Sequence, residues 1–193
     1  MHSEVLSILE EISSAQAQIL APGEDEVGDS SILVQPESIY DVCLKLRDNE
    51  KYSFKALEVI TGTDYKEYIE VSYVVGTFDM KNPATLILKT RLTDRENPVL
   101  KSVCDIWLAA NYQERECFDM LGVRFEGHPD HRRILCPDDW EGFPLRKDYV
   151  VQDSYRGMTV NPPDKMNLED QDFINQQDSM KDELIKRALA KGL

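Results

Sequence analysis

The chain has 193 residues and a formal charge of −14, from 36 acidic against 22 basic side chains. That balance excludes a nucleic-acid binder, which needs a basic footprint, and it excludes direct docking on an anionic bilayer. No apolar run reaches the roughly 18 residues of a spanning helix, and the opening MHSEVLSILEEISS is too acidic for a signal or transit peptide, so a chain that stays in the cytoplasm and meets a membrane only through a partner is expected.

Residues 4–20 read as an amphipathic helix, with Val5, Ile8, Leu9, Ile12, Ile19 and Leu20 near one face and Pro22-Gly23 as its stop. Residues 1–30 carry Glu4, Glu10, Glu11, Glu24, Asp25, Glu26 and Asp29 and no Lys or Arg, so they are expected to be an acidic helix and linker ahead of the core. Residues 31–121 read as an α+β core domain. Ser31 to Val34 is a short strand, and Pro36 opens a helix through Leu46 that Asp48-Asn49 ends. Phe54 to Ile60 is extended and a turn is expected at Thr61 to Asp64. Glu67 to Phe78 and Ala84 to Leu92 are rich in β-branched and aromatic residues, and they read as two strands of a hairpin. Ser102 is placed to cap a helix from Val103 to Leu121, with Asp105 in its first turn. The order β-α-β-β-β-α with short connections predicts a mostly antiparallel, ferredoxin-like sheet covered by helices on one face. Past a long irregular arm at 122–150, residues 151–177 read as extended and Ser179 to Lys191 as a C-terminal helix.

Asn111 to Val150 carries the chemistry. Tyr112, Phe118 and Leu121 sit at helical spacing, and Gly122 is a natural residue to follow the last turn. Gly127, Pro129, Pro137, Gly142 and Pro144 then forbid a helix or long strand, yet Phe125, Ile134, Leu135, Trp140, Phe143 and Leu145 are interleaved with them. A segment with that much apolar weight needs something to lie against, either its own domain or another protein. His128 and His131 with Asp130 and Cys136 have ligand types that suit zinc, but the breakers around them offer no rigid scaffold. Cys43, Cys104, Cys117 and Cys136 show no iron–sulfur or zinc spacing and read as reduced thiols. Glu114 falls on an apolar stripe with Trp107, Ala110, Cys117 and Leu121, so it must be paired or neutralised. Arg132, Arg133 and Arg146 are its expected partners. No Gly-rich strand–turn–helix frame accompanies Arg132-Arg133 or Arg146-Lys147, so these favour carboxylate pairing or a protein interface over phosphate.

Glu114-Arg115-Glu116, Asp119-Met120-Leu121-Gly122, Phe125 with Gly127-His128-Pro129, Arg132-Arg133-Ile134-Leu135, Trp140 with Gly142, and Pro144-Leu145-Arg146-Lys147-Asp148-Tyr149 form a series. It resembles the signature of the 30 kDa subunit of NADH:quinone oxidoreductase, respiratory complex I. His131 stands where that signature has an apolar residue, and Val150 where it often has Pro. The resemblance implies a structural subunit with no catalytic site, metal or cofactor of its own, whose quoted residues are an interface or structural motif. Its main partner would be the 49 kDa subunit in the peripheral arm, on the cytoplasmic side of the cell membrane. FMN and iron–sulfur clusters in neighbouring subunits would carry electrons from NADH to quinone, coupled to proton translocation. Two alternatives remain open beside that of a soluble adaptor outside respiration. One is the equivalent subunit of a membrane-bound hydrogenase or ferredoxin-dependent quinone reductase. The other is an independent metal-dependent hydrolase using His128 and Glu114.

Overall fold

A computed structural model describes residues 2–9, 12, 15–21, 29–78, 83–160 and 162. Residues 1–150 form one unit and residues 151–193 another. The first unit is built on a five-stranded sheet. Its strands are β1 (Gln18–Leu20), β2 (Ser31–Leu33), β3 (Ala56–Asp64), β4 (Ile69–Gly76) and β5 (Thr85–Leu92), in the order β1-β2-β5-β4-β3. Three ladders are antiparallel, and β2 runs parallel to β5. The sheet is therefore mixed but mostly antiparallel, as the element order predicts, and the class is α+β.

Alternation along the strands builds the core. Leu86, Leu88 and Thr90 face the same side as Val75, Tyr73 and Val71, their register partners on β4, and all are buried. On β5's other neighbour, Ile32 pairs with Leu88 and extends that layer. Two helices, α2 (Ile39–Asp48) and α3 (Ala110–Leu121), cover it. The Tyr73 ring enters from the sheet, with Cys43 of α2 and Cys117 and Glu114 of α3 around its hydroxyl. Gly62 of β3 allows α3 to lie close, since a β-carbon there would come within 2.3 Å of Leu121 Cδ1. As expected, Pro36 sits at the front of a helical segment, a single 3-10 turn (Pro36–Ser38) that leads into α2.

The N-terminal segment differs from its expected form. The helix α1 spans His2–Leu9, and Gln18–Leu20 is a strand rather than the end of a helix. A short edge strand needs a hydrogen-bonding neighbour, and β1 supplies it to β2, with the Gln35 N–H also donated to the Ala15 carbonyl at 3.0 Å. Val5, Leu9 and Ala15 are fully buried, so this segment belongs to the core instead of preceding it. Most of the expected acidic linker, residues 22–28, lies outside the described residues.

Two other expectations need correction. The turn expected at Thr61 to Asp64 is strand, and the chain reverses only after Asp64. The helix expected from Val103 begins at Ala110, and the residues before it form β6 (Val99–Lys101) and a run of turns. Strand β6 pairs in parallel with β7 (Arg124–Glu126), just past α3, so the chain before the helix and the chain after it are tied side by side. Asp105, expected in the first turn of the helix, instead accepts a hydrogen bond from the Tyr40 hydroxyl at 2.6 Å.

In the second unit, β8 (Ser154–Tyr155) and β9 (Met158–Thr159) make a hairpin where an extended tail was expected. Arg156 and Gly157 turn it with φ of 48° and 78°, both positive as a two-residue hairpin loop requires. The expected C-terminal helix at 179–191 lies outside the described residues.

Candidate functional site

Helix α3 ends where the sequence says it should. Gly122 takes the left-handed conformation (φ 78°) and its N–H closes on the Phe118 carbonyl at 2.8 Å. No side chain fits on Gly122, because Phe143 packs where a β-carbon would stand, 2.6 Å from Cε2. Phe143 is held between two guanidinium groups, Arg133 at 5.2 Å and Arg146 at 4.9 Å from the ring centre. Both cations also reach the free carbonyls of the helix end. Arg146 Nε donates to Leu121 O at 2.7 Å, and Arg133 Nη1 to Asp119 O at 3.4 Å. Positive charge at a helix C-terminus is favoured by the macrodipole.

Asp119 is the centre of the latch. Its side chain is fully buried, and one oxygen, Oδ2, accepts the N–H groups of Ile134, Leu135 and Cys136 at 2.9, 2.6 and 2.9 Å. The other oxygen takes Arg133 Nη1 at 2.9 Å. Three successive backbone N–H groups converging on one anion form a nest. Burial raises the carboxyl pKa, but the three N–H groups and Arg133 outweigh it and hold it below the usual aspartate range. Arg115, itself buried, supports the same loop from its other side. It donates to the carbonyls of Arg132 (3.0 Å) and Arg133 (3.4 Å) and pairs with Asp130 at 3.4 Å. Arg132 is exposed and pairs only locally, with Asp130.

The far end of the arm is fastened by a residue to which sequence reasoning assigned no role. Asp64, buried at the end of β3, accepts the backbone N–H of Lys147 (2.8 Å), that of Lys66 (2.8 Å) and Arg95 Nη2 (2.7 Å). Burial again raises its pKa, and these donors reverse the shift. Arg95 also reaches Asp148 at 3.3 Å. Between the two fastenings, Trp140 Nε1 donates to the Tyr149 hydroxyl at 3.0 Å, and Gly142 (φ 77°) lies against the Tyr149 ring. Leu145 is tied to α3 by its N–H, donated to Met120 O at 3.0 Å. Pro144 sits half-buried between these ties.

Glu114 is not paired with an arm arginine, contrary to expectation. It is fully buried and receives the turn before its own helix: Val103 N–H on Oε1 at 2.7 Å, and the Ser102 hydroxyl and Cys104 thiol on Oε2 at 2.7 and 3.4 Å. The arginines are already committed to Asp119, Asp130 and carbonyls, and an acidic side chain on α3 meets the Ser102–Cys104 turn first. Burial pushes the Glu114 pKa up in spite of these donors. His128 Nε2 lies 4.0 Å away.

These side chains bring Cys104, Glu114 and His128 together, with potential ligand atoms all within 4.8 Å of one another. Their hydrogen bonds argue against metal ligation. His128 Nδ1 accepts the Asp130 N–H at 3.0 Å, which puts the ring proton on Nε2, and Nε2 then donates to the Asn111 carbonyl at 3.0 Å. The Cys104 thiol is pushed up to about 12 by burial. The set drawn from sequence is divided: His131 Nε2 accepts the Phe125 N–H at 3.0 Å, while Cys136 belongs to the Asp119 nest. Phe125 is buried in β7, Gly127 turns the chain with φ 82°, Pro129 is exposed after His128, and Glu116 is exposed on α3.

The model of the family described as respiratory-chain NADH dehydrogenase, 30 Kd subunit, matches residues 32–155. A protein from Roseiflexus sp. (strain RS-1), named as the C subunit of NADH-quinone oxidoreductase, is 41% identical over 158 residues, covering 80% of this chain and 89% of that protein. One from Phocaeicola vulgatus, named as the C/D subunit of NADH-quinone oxidoreductase, is 42% identical over 118 residues, 61% of this chain but only 22% of that longer protein. Among solved structures, a chain of the membrane-bound sulfane sulfur reductase, an archaeal respiratory membrane complex, superposes with a TM-score of 0.60 at 26% identity. The match covers 77% of this chain and 85% of that one.

Proposed function

The chain belongs to the 30 kDa subunit family of the respiratory-chain NADH dehydrogenase, and from that membership we propose that it is a structural subunit of a proton-translocating NADH:quinone oxidoreductase with no redox chemistry of its own. The observation that carries the structural role is the fate of its charged side chains. Asp119, Asp64, Glu114, Arg115, Arg133 and Arg146 all hold chain to chain. FMN and iron–sulfur clusters would then reside in partner subunits. The proposed main partner is the 49 kDa subunit, and the Phocaeicola relative, whose name joins subunits C and D in one long chain, supports a close neighbour among the other subunits. No helix among the described residues is long and apolar enough to cross a membrane. Attachment at the cytoplasmic face would therefore run through those partners.

A tag on the full chain, expressed in its own cells, tests the proposal. The expected capture is an assembly that oxidises NADH and contains flavin, iron–sulfur clusters and the 49 kDa subunit, with none of the cofactors left on the chain after it is stripped from the rest. The likeness to the sulfane sulfur reductase favours a second reading, in which the same module serves a complex with another electron donor or acceptor. Capture of an assembly without NADH oxidation would establish that reading instead.

A further inference from the structure

Resting on the assignment of the chain to a larger assembly, we propose that the exposed row along α3 and the groove at its C-terminal end receive an amphipathic helix of the neighbouring subunit. That helix carries a Lys or Arg between two apolar side chains. Tyr112, Glu116 and Met120 recur at every fourth residue, so they run down one side of the helix, and Leu108, four residues earlier, stands in the turn before it. At 1.5 Å per residue the row is about 18 Å long. Its upper end is apolar, with Leu108 90% and Tyr112 66% exposed. Its lower end opens into a groove of about 290 Å³ between α3, β3 and the arm, where Met120 meets Leu135 and Leu145, 61% and 58% exposed.

The lower leucines are held in place before any partner arrives. The Leu135 N–H is one of the three on Asp119, and the Leu145 N–H is bound to Met120 O. Large apolar groups fixed in water on a pinned backbone mark a contact surface, and their rigidity lowers the entropy lost on binding. Between the two apolar ends stands Glu116, exposed and without an ion pair among the described residues. The complementary group is a cation, which an acidic chain favours in its partner as a whole.

An added strand does not fit this place. β3 is the edge of the sheet beside the row, but Gln113 already caps it. The side-chain oxygen of Gln113 takes the Ile60 N–H, and its Nε2 donates to Glu58 O at 3.5 Å. With the edge engaged at Glu58 and Ile60, a continuous added strand is interrupted there, and a helix, binding by side chains alone, fits the row. Over about 18 Å such a helix would place its apolar residues about 11 or 12 positions apart, with the cation about eight positions from the one that meets Leu108 and about four from the other.

The test uses the full chain in cells. The photoreactive residue benzoylphenylalanine replaces Tyr112 or Leu145, and the tagged assembly is purified after illumination. Both positions are expected to crosslink to one stretch of one other subunit, at residues recurring every three or four. Glu116→Lys is expected to lower the amount of assembled complex by about tenfold or more and leave the melting temperature of the purified chain unchanged. Reversing the crosslinked partner's cation restores assembly. The inference is overturned if the chain assembles normally while these positions crosslink to lipid, to a second copy or to nothing, or if Glu116→Lys assembles at full level. Expected crosslinks inside an assembly that does not oxidise NADH would support the helix-receiving surface and refute the assigned complex.

Discussion

Replacing Asp119 with Ala removes the acceptor that the arm is built around. The N–H groups of Ile134, Leu135 and Cys136 and the Arg133 guanidinium lose their common partner. A buried donor left unsatisfied costs about 1–3 kcal/mol, and breaking a buried charged pair about 3–5 kcal/mol. Leu135 is exposed and Arg133 only half-buried, so water recovers part of this, and about 3 kcal/mol is the expected loss for Asp119→Ala. Asp119→Asn keeps one oxygen and loses about half as much. Urea unfolding of the full chain measures the cost, and native-state trypsin digestion locates it, since Arg132, Arg133 and Arg146 become cleavable when the latch opens. Acid acts in the same direction. The carboxyl is more acidic folded than unfolded, so its contribution is complete above the ordinary aspartate range and fades as pH falls through the lowered value. A loss under about 1 kcal/mol with unchanged tryptic cleavage would refute the assignment of Asp119 as the arm's fastening.

Glu114 has the opposite sign: its raised pKa means that stability falls as pH rises from the ordinary glutamate range through the raised value, and Glu114→Gln should flatten that part of a urea-midpoint profile while Glu114→Ala destabilises throughout. Gly122→Ala should cost about 2–3 kcal/mol in the same assay, from the left-handed backbone together with the overlap on Phe143. Of the four thiols, Cys136 should be alkylated first in the native chain. Cys43, Cys104 and Cys117 should react only on unfolding, since all three are buried and burial pushes their thiols up, the last two to about 12. Added zinc should change neither the labelling rates nor the melting temperature, and protection of Cys104 by one equivalent of zinc would contradict the hydrogen-bond assignment of His128.

The strands β4 and β5 and the stop at Gly122 were legible because each is specified locally, by alternation in the strands and by a glycine at the only left-handed position of the helix end. The strands β1, β6 and β7 were not. Each has three residues, too few for a periodic signal, and each exists because of a partner distant in sequence. The false start of the last helix has the same origin. Ser102 and Asp105 satisfy local capping chemistry, but the Ser102 hydroxyl and the Val103 N–H are claimed by Glu114 from the helix itself. In the site, the need to pair the charged groups was readable, while their actual partners were not. The arginines were free in sequence to meet any carboxylate, and only the fold brings Asp119 to Arg133 and leaves Glu114 to a turn. Asp64 gave no signal at all, as an aspartate at a strand end is commonplace until Lys147 is brought to it.

Three of the buried carboxylates, Asp64, Glu114 and Asp119, answer one physical problem, that of chain outside the regular elements. A segment interrupted by Gly127, Pro129, Pro137, Gly142 and Pro144 cannot pair its N–H groups in a ladder, and buried N–H groups must still find acceptors. A carboxylate offers about four lone-pair sites on two oxygens, more than any carbonyl. Asp119 receives three N–H groups from the arm, Asp64 receives one from the arm and one from a turn, and Glu114 receives the backbone and two side chains before α3. Acceptors on regular elements thus stand in for the secondary structure that the arm lacks. This accounts for Asp, Glu and Arg side chains, residue types that also serve in catalytic sites, holding the shape of this segment.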